Sequence, residues 1–346
     1  MNSSAKHIAI VRLSALGDVA MTVPVIGALS QQYPELQISV VSKPFVKPLF
    51  AHLSNVTFIE AHVYDAHKGV LGLRKLSKII AAQQLDAFID LHNVIRTKIL
   101  RSFIRMQGVK VSVIDKGRAQ KKALTRPKNK VWKPLETTAE RYTKAFAAAG
   151  FPINWSSIGS ASQKPLREAA AQIMGDWKGK AIAIAPFAAY EAKMYPLDLM
   201  RQVMEQLTAD NRFKLFLFGG GEKEKAHLME LSKGLPNTEV VVGKMDFASE
   251  LALISNMDLM ISMDSANGHL AAIFGIPVLT LWGATHPFLG FVPHGQPEEN
   301  QLLPDLKMYP EIPTSVYGNK LPESHKDVMR SISPEQVAQK AQNLLQ

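Results

Sequence analysis

At 346 residues, with 47% hydrophobic and 20% charged side chains, the chain is long enough for two globular cores and too apolar to be disordered. It contains no cysteine, which excludes disulfides and thiolate metal sites and fits a reducing compartment. Its formal charge of +10 asks for an anionic partner, whether nucleic acid, an acidic membrane surface or an acidic substrate.

The apolar stretch 8–11 is too short for a signal peptide or a membrane span, so a cytoplasmic protein is expected. β-rich runs at 8–13, 37–42, 56–60, 87–91 and 109–114 alternate with helical patterns at 25–33, 71–84 and 96–106. Such spacing predicts right-handed βαβ crossovers and a parallel sheet. A helix over 138–149 ends at Gly150, and the polar, irregular stretch 151–163 reads as a domain linker. The second half repeats the design, with strands at 181–186, 213–218, 239–242, 257–262 and 278–282. Helices are expected at 197–208, 222–233, 247–255 and 267–274. Residues 294–326, rich in proline and polar side chains, read as a long surface excursion of no legible purpose. Ser333-Pro334-Glu335 caps a last helix through 345. The expected fold is α/β, with two Rossmann-like doubly wound domains, 1–160 and 161–346, facing across a cleft. The last helix is a candidate to pack back on the first domain.

Between Lys116 and Lys133 stand Lys116, Arg118, Lys121, Lys122, Arg126, Lys128, Lys130 and Lys133 with no acidic residue among them. This tract is either a solvated, mobile loop or a docking surface for an anionic partner. Trp132 is its one stacking aromatic and no reading motif accompanies it, so a nucleic-acid partner is not expected.

Four turns after predicted strands carry chemistry. Leu13-Ser14-Ala15-Leu16-Gly17-Asp18 has only one glycine and is no dinucleotide fingerprint. It offers Asp18, either a helix cap or a general base facing the cleft. The loop from Pro186 to Pro196 sets Lys193 before a helix, as a plain surface lysine or as a point charge on a leaving phosphate. Gly219-Gly220-Gly221-Glu222 allows close backbone or ligand approach, and Glu222 suits ribose hydroxyls or a helix start. The fourth turn, Met263-Asp264-Ser265-Ala266-Asn267-Gly268-His269, hands a strand to a helix. There Ser265 or Asn267 can cap, Gly268 permits close approach, and first-turn N–H groups attract an anion. His269 alone is more often a core or capping residue. No HExxH, GxSxG or P-loop motif is present, and no cluster has metal-ligand spacing.

Two of these stretches carry a resemblance. Arg12-Leu13-Ser14-Ala15-Leu16-Gly17-Asp18-Val19 with Thr22-Val23-Pro24 resembles the amino-terminal signature of the glycosyltransferase family 9 heptosyltransferases. Asp264-Ser265-x-x-Gly268-His269-Leu270-Ala271-Ala272, continued by Pro277, Gly283, Thr285 and Pro287, resembles its carboxyl-terminal signature. The 86–92 run, ending Asp90-Leu91-His92, resembles a weaker third block. The resemblance implies a GT-B fold and inverting, metal-independent transfer of a heptose from an ADP-activated donor to the lipopolysaccharide inner core. It implies no cofactor. Asp18 matches the base and Lys193 the lysine beside the donor phosphates. Glu222, Asp264, Ser265, Gly268 and His269 match donor positions, with Glu224 competing for the role of Glu222. Ser14, Gly17, Arg96, Lys121, Lys122 and Arg126 are candidates for the anionic lipid A–core acceptor, and Lys98 and Arg101 extend that basic set. A lipid-anchored acceptor implies a peripheral enzyme at the cytoplasmic face of the inner membrane. Two departures stand out: Ala266-Asn267 follows Ser265, and Ala188-Ala189 stands where hydroxyl residues often contact phosphate. The alternatives are another GT-B sugar-nucleotide enzyme, transferase or epimerase, and a non-catalytic nucleotide-sugar-binding relative.

Overall fold

The structure, a computed structural model, describes residues 6–154, 158–209 and 211–346. It divides into two compact units, one of residues up to Lys116 with Thr138–Ala161, the other of Gly117–Thr137 with Ser162–Gln346. Residues 155–157 of the expected linker lie outside the described residues.

The first unit runs β1 (His7–Val11), α1 (Leu16–Ala20), α2 (Thr22–Gln32), β2 (Gln37–Ser42), β3 (Val56–Glu60), α3 (Gly69–Ala81), β4 (Ala87–Asp90), α4 (Ile95–Arg105) and β5 (Lys110–Val113). The five strands form one sheet in the order β3-β2-β1-β4-β5, and every pairing is parallel. Helices cover a parallel sheet on both faces, so the central strand is wholly buried and reads as the unbroken apolar run that made it legible. The chain then makes α5 (Arg118–Thr125), which groups with the second unit, and returns through α6 (Thr138–Ala149), which packs on β4 and β5.

The second unit continues with α7 (Glu168–Met174), β6 (Lys180–Ala185), α8 (Leu197–Thr208), β7 (Phe213–Leu217), α9 (Gly221–Ser232), β8 (Thr238–Val240), α10 (Phe247–Ile254), β9 (Leu259–Met263), α11 (Ala266–Ile273) and β10 (Val278–Leu281). After β11 (Gln301–Leu302) comes α12 (Pro334–Leu344). Its six parallel strands lie in the order β11-β10-β9-β6-β7-β8.

Three expectations are corrected. The tract 117–137 belongs to the second unit and is not a loose loop, because it contains α5 and is pinned along its length. Lys130 Nζ donates to the Glu311 and Pro313 carbonyls, and the Leu135 amide donates to the Phe288 carbonyl at 2.9 Å. The excursion 294–326 is in part core: Ile312 is fully buried, β11 extends the sheet, and buried Trp282 donates from Nε1 to Gln301 Oε1 at 3.0 Å. The last helix packs within its own unit. Val337, Ala338 and Ala341 of α12 share a core with Met200, Val203, Met204 and Leu207 of α8. A capping box starts α12: the Gln336 amide donates to Ser333 Oγ at 3.2 Å and the Ser333 amide to Gln336 Oε1 at 2.9 Å.

The segment before α12 is tied to α8 by Tyr195, whose buried hydroxyl donates to the Ile332 carbonyl at 2.7 Å, and by an exposed two-pronged pair of Arg330 with Asp198. Losing a buried hydrogen bond strands a carbonyl, whereas an exposed ion pair is screened by water. Chemical denaturation should therefore show Tyr195→Phe costing about 1–2 kcal/mol. Arg330→Ala should cost at most about 1 kcal/mol, and the reverse ranking would contradict this account.

Candidate active site

In an open parallel sheet, ligands bind beyond the carboxyl ends of the strands where the strand order reverses. The first sheet reverses between β1 and β4, and the second between β6 and β9. The loops after those four strands hold Asp18, His92, Lys193 and Asp264, so each unit presents one centre at its reversal.

In the first unit, Asp18 lies in the first turn of α1, and its Oδ2 accepts from the Ala15 amide at 3.2 Å and pairs with Arg12. Both contacts fall on Oδ2: among the described residues nothing hydrogen-bonds Oδ1. The Asp18 side chain is 30% exposed, while that of Arg12 is nearly buried. Arg12 is fixed from the other side by the Leu91 carbonyl, at 2.7 Å from Nη1. Burial alone would lower the Arg12 pKa; the Tyr142 hydroxyl, Asp18 and Asp90 outweigh it and hold the guanidinium above its ordinary value. Tyr142 is fully buried and donates to the Asp18 carbonyl at 3.0 Å, fixing the backbone under the carboxylate.

The loop after β4 is organised by Asp90. This buried carboxylate takes the His92 and Asn93 amides at 2.9 and 2.7 Å on Oδ1 and Arg101 at 2.9 Å on Oδ2. Arg101 is thus committed to structure and leaves the basic acceptor set. His92 Nδ1 accepts from the Leu13 amide at 3.4 Å, and its Nε2 lies 3.4 Å from Ser14 Oγ. Burial, with Arg12 and Lys116 adding to it, lowers the His92 pKa to about 3. Near neutral pH the ring is therefore uncharged beside Ser14. Gly17 lies inside α1, and its carbonyl accepts from the Met21 amide at 2.9 Å. Arg96 stacks over Tyr64 at 5.4 Å.

In the second unit, Lys193 Nζ meets Asp264 Oδ2 at 2.8 Å, with side chains 12% and 7% exposed. Thr285, fully buried, donates to the same oxygen at 2.8 Å. The Ala284 amide donates to the Ala192 carbonyl at 2.9 Å, and the Thr314 amide to the Ala284 carbonyl at 3.0 Å, so three loops lock around the pair. Gly318 has φ +78°, and a Cβ there would fall 2.3 Å from Lys193 Cγ and Cδ. The excursion thus lies against the lysine stem.

Ser265 occupies the N-cap of α11 without making a capping hydrogen bond, and its buried Oγ has no partner among the described residues. Neither expected cap forms, and the first-turn N–H groups keep their positive end of the helix dipole for a ligand. His269 is buried in that helix. Gly268 is closely packed: a Cβ there would lie 2.7 Å from Ser262 Oγ and 3.2 Å from Val278 Cγ1.

After β7, Glu224 folds back so that Oε2 accepts from the Gly220 amide at 2.7 Å. Glu222 is exposed, 3.6 Å from Lys225, and its carboxylate is the more available one. In the basic tract Lys121 is buried with Nζ 3.8 Å from the Phe291 ring centroid, so it packs where an exposed charge was expected. Lys122 and Arg126 are exposed, Arg126 donating to the Asn129 carbonyl at 2.6 Å. All three group with the second unit, whereas Ser14, Gly17 and Arg96, with which they were grouped, belong to the first. Sequence reasoning missed Arg12, Asp90, His92, Tyr142 and Thr285 as site residues. Arg12, Asp90, His92 and Thr285 lie within the stretches that carry the family resemblance, and Arg12 and Asp90 also close apolar strands. Among the described residues no group of three or more His, Cys, Asp or Glu side chains is placed to hold a metal ion.

Comparison with known proteins bears on the fold and the family. The chain is 24% identical over 291 residues to the lipopolysaccharide core heptosyltransferase OpsX of Haemophilus influenzae, covering 82% of this chain and 80% of that protein. A family 9 glycosyltransferase structure from Veillonella parvula superposes with a TM-score of 0.76 at 19% identity, over 100% of this chain and 98% of that one. The Escherichia coli heptosyltransferase WaaC solved with ADP gives 0.69 at 17%, over 98% and 99%. These likenesses establish the GT-B fold. The profile of glycosyltransferase family 9 (heptosyltransferase) matches residues 73–312, most of the chain, and the chain belongs to that family.

Proposed function

We propose that the chain transfers a heptose from an ADP-activated donor to the inner core of lipopolysaccharide, inverting the anomeric centre without a metal ion or cofactor. The observation that carries this reading is the Lys193–Asp264 pair beside the uncapped start of α11: a sequestered cation and free N–H groups at a strand-order reversal suit a diphosphate. The relatives named as lipopolysaccharide heptosyltransferases support the sugar and the acceptor.

The second unit binds the donor in this reading. Lys193 turns from Asp264 to the diphosphate, first-turn N–H groups and the Ser265 hydroxyl meet its oxygens, and His269 lies beside them. Asp264, still held by Thr285, keeps Oδ1 for a donor hydroxyl, and Glu222 takes the ribose. The first unit supplies the base. An aspartate with an ordinary pKa of about 4 is too weak to ionise an alcohol outright, so proton removal accompanies bond formation. The acceptor oxygen attacks the anomeric carbon opposite the leaving group while its proton passes to Asp18 Oδ1. The bond to the diphosphate breaks, its electron pair leaves with the phosphate, and Lys193 and the helix start stabilise that charge where a metal would otherwise serve. Arg12 and the Ala15 amide hold Oδ2 and so aim Oδ1. Ser14, Gly17 and Arg96 line the acceptor side, and Lys122 and Arg126 add charge for an acidic acceptor. A lipid-borne acceptor places the enzyme peripherally at the cytoplasmic face of the inner membrane.

Incubation with ADP-heptose and a core acceptor lacking that heptose, in chelator, should yield a glycoside whose anomeric configuration by NMR is opposite to the donor's. Retention of configuration, or transfer only after a divalent metal is restored, contradicts the mechanism. Gly318→Ala, which sets a methyl group against the Lys193 stem, should raise the donor KM by roughly tenfold, with a smaller effect on kcat. An unchanged donor KM would remove Gly318 from the donor site.

A further inference from the structure

Among the described residues, thirteen large apolar side chains are exposed, and five of them, Phe45, Tyr64, Val70, Leu71 and Ile95, follow strands of one sheet: β2, β3 and β4. Since that sheet is parallel, these loops share its carboxyl edge, the edge that carries Asp18. Exposure is high, 79% for Leu71, 78% for Ile95 and 69% for Tyr64, and scattered chance exposure does not gather on one edge in this way.

The display is rigid. His67 is buried, and its Nδ1 accepts from the His62 amide at 3.0 Å. The backbone at His67 runs so close to Gly72 that a Cβ there would meet it at 2.3 Å, which fixes the Tyr64 loop on the start of α3. Tyr64 links the three loops. Lys43 Nζ donates to its hydroxyl at 3.3 Å and lies 4.8 Å from its ring centroid, and Arg96 stacks on the ring. Lys68 and Lys98 are exposed on the same loops, against one exposed carboxylate between β3 and α3, Asp65. Apolar side chains, an aromatic with a polar tip and a cationic rim are what a headgroup boundary with acidic lipids accommodates.

We propose that this edge seats on an anionic bilayer surface, with Phe45, Tyr64, Leu71 and Ile95 entering the headgroup boundary and Lys43, Lys68, Arg96 and Lys98 meeting acidic headgroups. The inference rests on the reading of a lipid-anchored acceptor, which such seating would deliver to the edge that holds the base. It extends that reading by assigning the contact to these apolar loops and not to the 116–133 tract.

The test is co-sedimentation of the full chain with phosphatidylcholine vesicles with and without phosphatidylglycerol, comparing wild type with the double variant Leu71→Glu, Ile95→Glu. Wild type should sediment with the phosphatidylglycerol vesicles and far less with the neutral ones, and the double variant should partition at least roughly tenfold more weakly. The variant should keep wild-type ADP affinity and wild-type transfer to a deacylated, soluble acceptor, which shows that it is folded. Equal sedimentation of variant and wild type, or no sedimentation of wild type, overturns the proposal. So does a vesicle-free dimer that the variant abolishes, because the face then belongs to a second copy. Absence of transfer by wild type to the soluble acceptor would instead defeat the reading of function, and vesicle binding is scored independently of it.

Discussion

A lysine and an aspartate, 12% and 7% exposed and 2.8 Å apart, sit where the second sheet reverses its strand order. Neither charge is stable there alone, since leaving one such group unpaired costs several kcal/mol. Much of the unit serves to keep the two together. Thr285 completes the aspartate oxygen, Ala284 joins the loop after β10 to the Lys193 loop, and the segment around Gly318 lies along the lysine stem. The constraint also gives 294–326 a purpose: it covers the side of the site that the sheet leaves open. In the proposed reading, an entering diphosphate offers Lys193 a second anion, so the resting pair would store the cation where the leaving group needs it.

The first unit answers with the same topology and the opposite need. Arg12 and Asp18 also pair at a reversal, but here the carboxylate is the more exposed partner and the buried guanidinium holds it. Two contacts on Oδ2 leave Oδ1 uncommitted, and Tyr142 secures the backbone beneath. In the proposed mechanism, acid–base work falls to the first unit and charge stabilisation to the second.

What was legible in the sequence follows from the range of the interactions involved. Buried parallel strands announce themselves as apolar runs, and loops after strands are where residues such as Asp18, Lys193 and Asp264 earn suspicion, so the fold and these positions were readable. Partnerships across the chain were not. Arg12 meets the Leu91 carbonyl 79 residues on, and nothing local marks it. Lys121 looked like a free charge until Phe291 appeared beneath it, and Arg101 until Asp90 did. The tight packing of Gly268 in α11 on Ser262 and Val278 was likewise invisible in the sequence. Short elements such as α7 and β11 lack a period long enough to register.

The division of labour between the two reversals is tested most directly by measuring ADP affinity by calorimetry and transfer rate together in Asp18→Asn and Lys193→Ala. The account predicts that Asp18→Asn lowers kcat by roughly 10²–10⁴-fold with ADP affinity nearly unchanged. Lys193→Ala should weaken ADP binding by roughly tenfold or more. Full turnover in Asp18→Asn, or undiminished ADP affinity in Lys193→Ala, would contradict it.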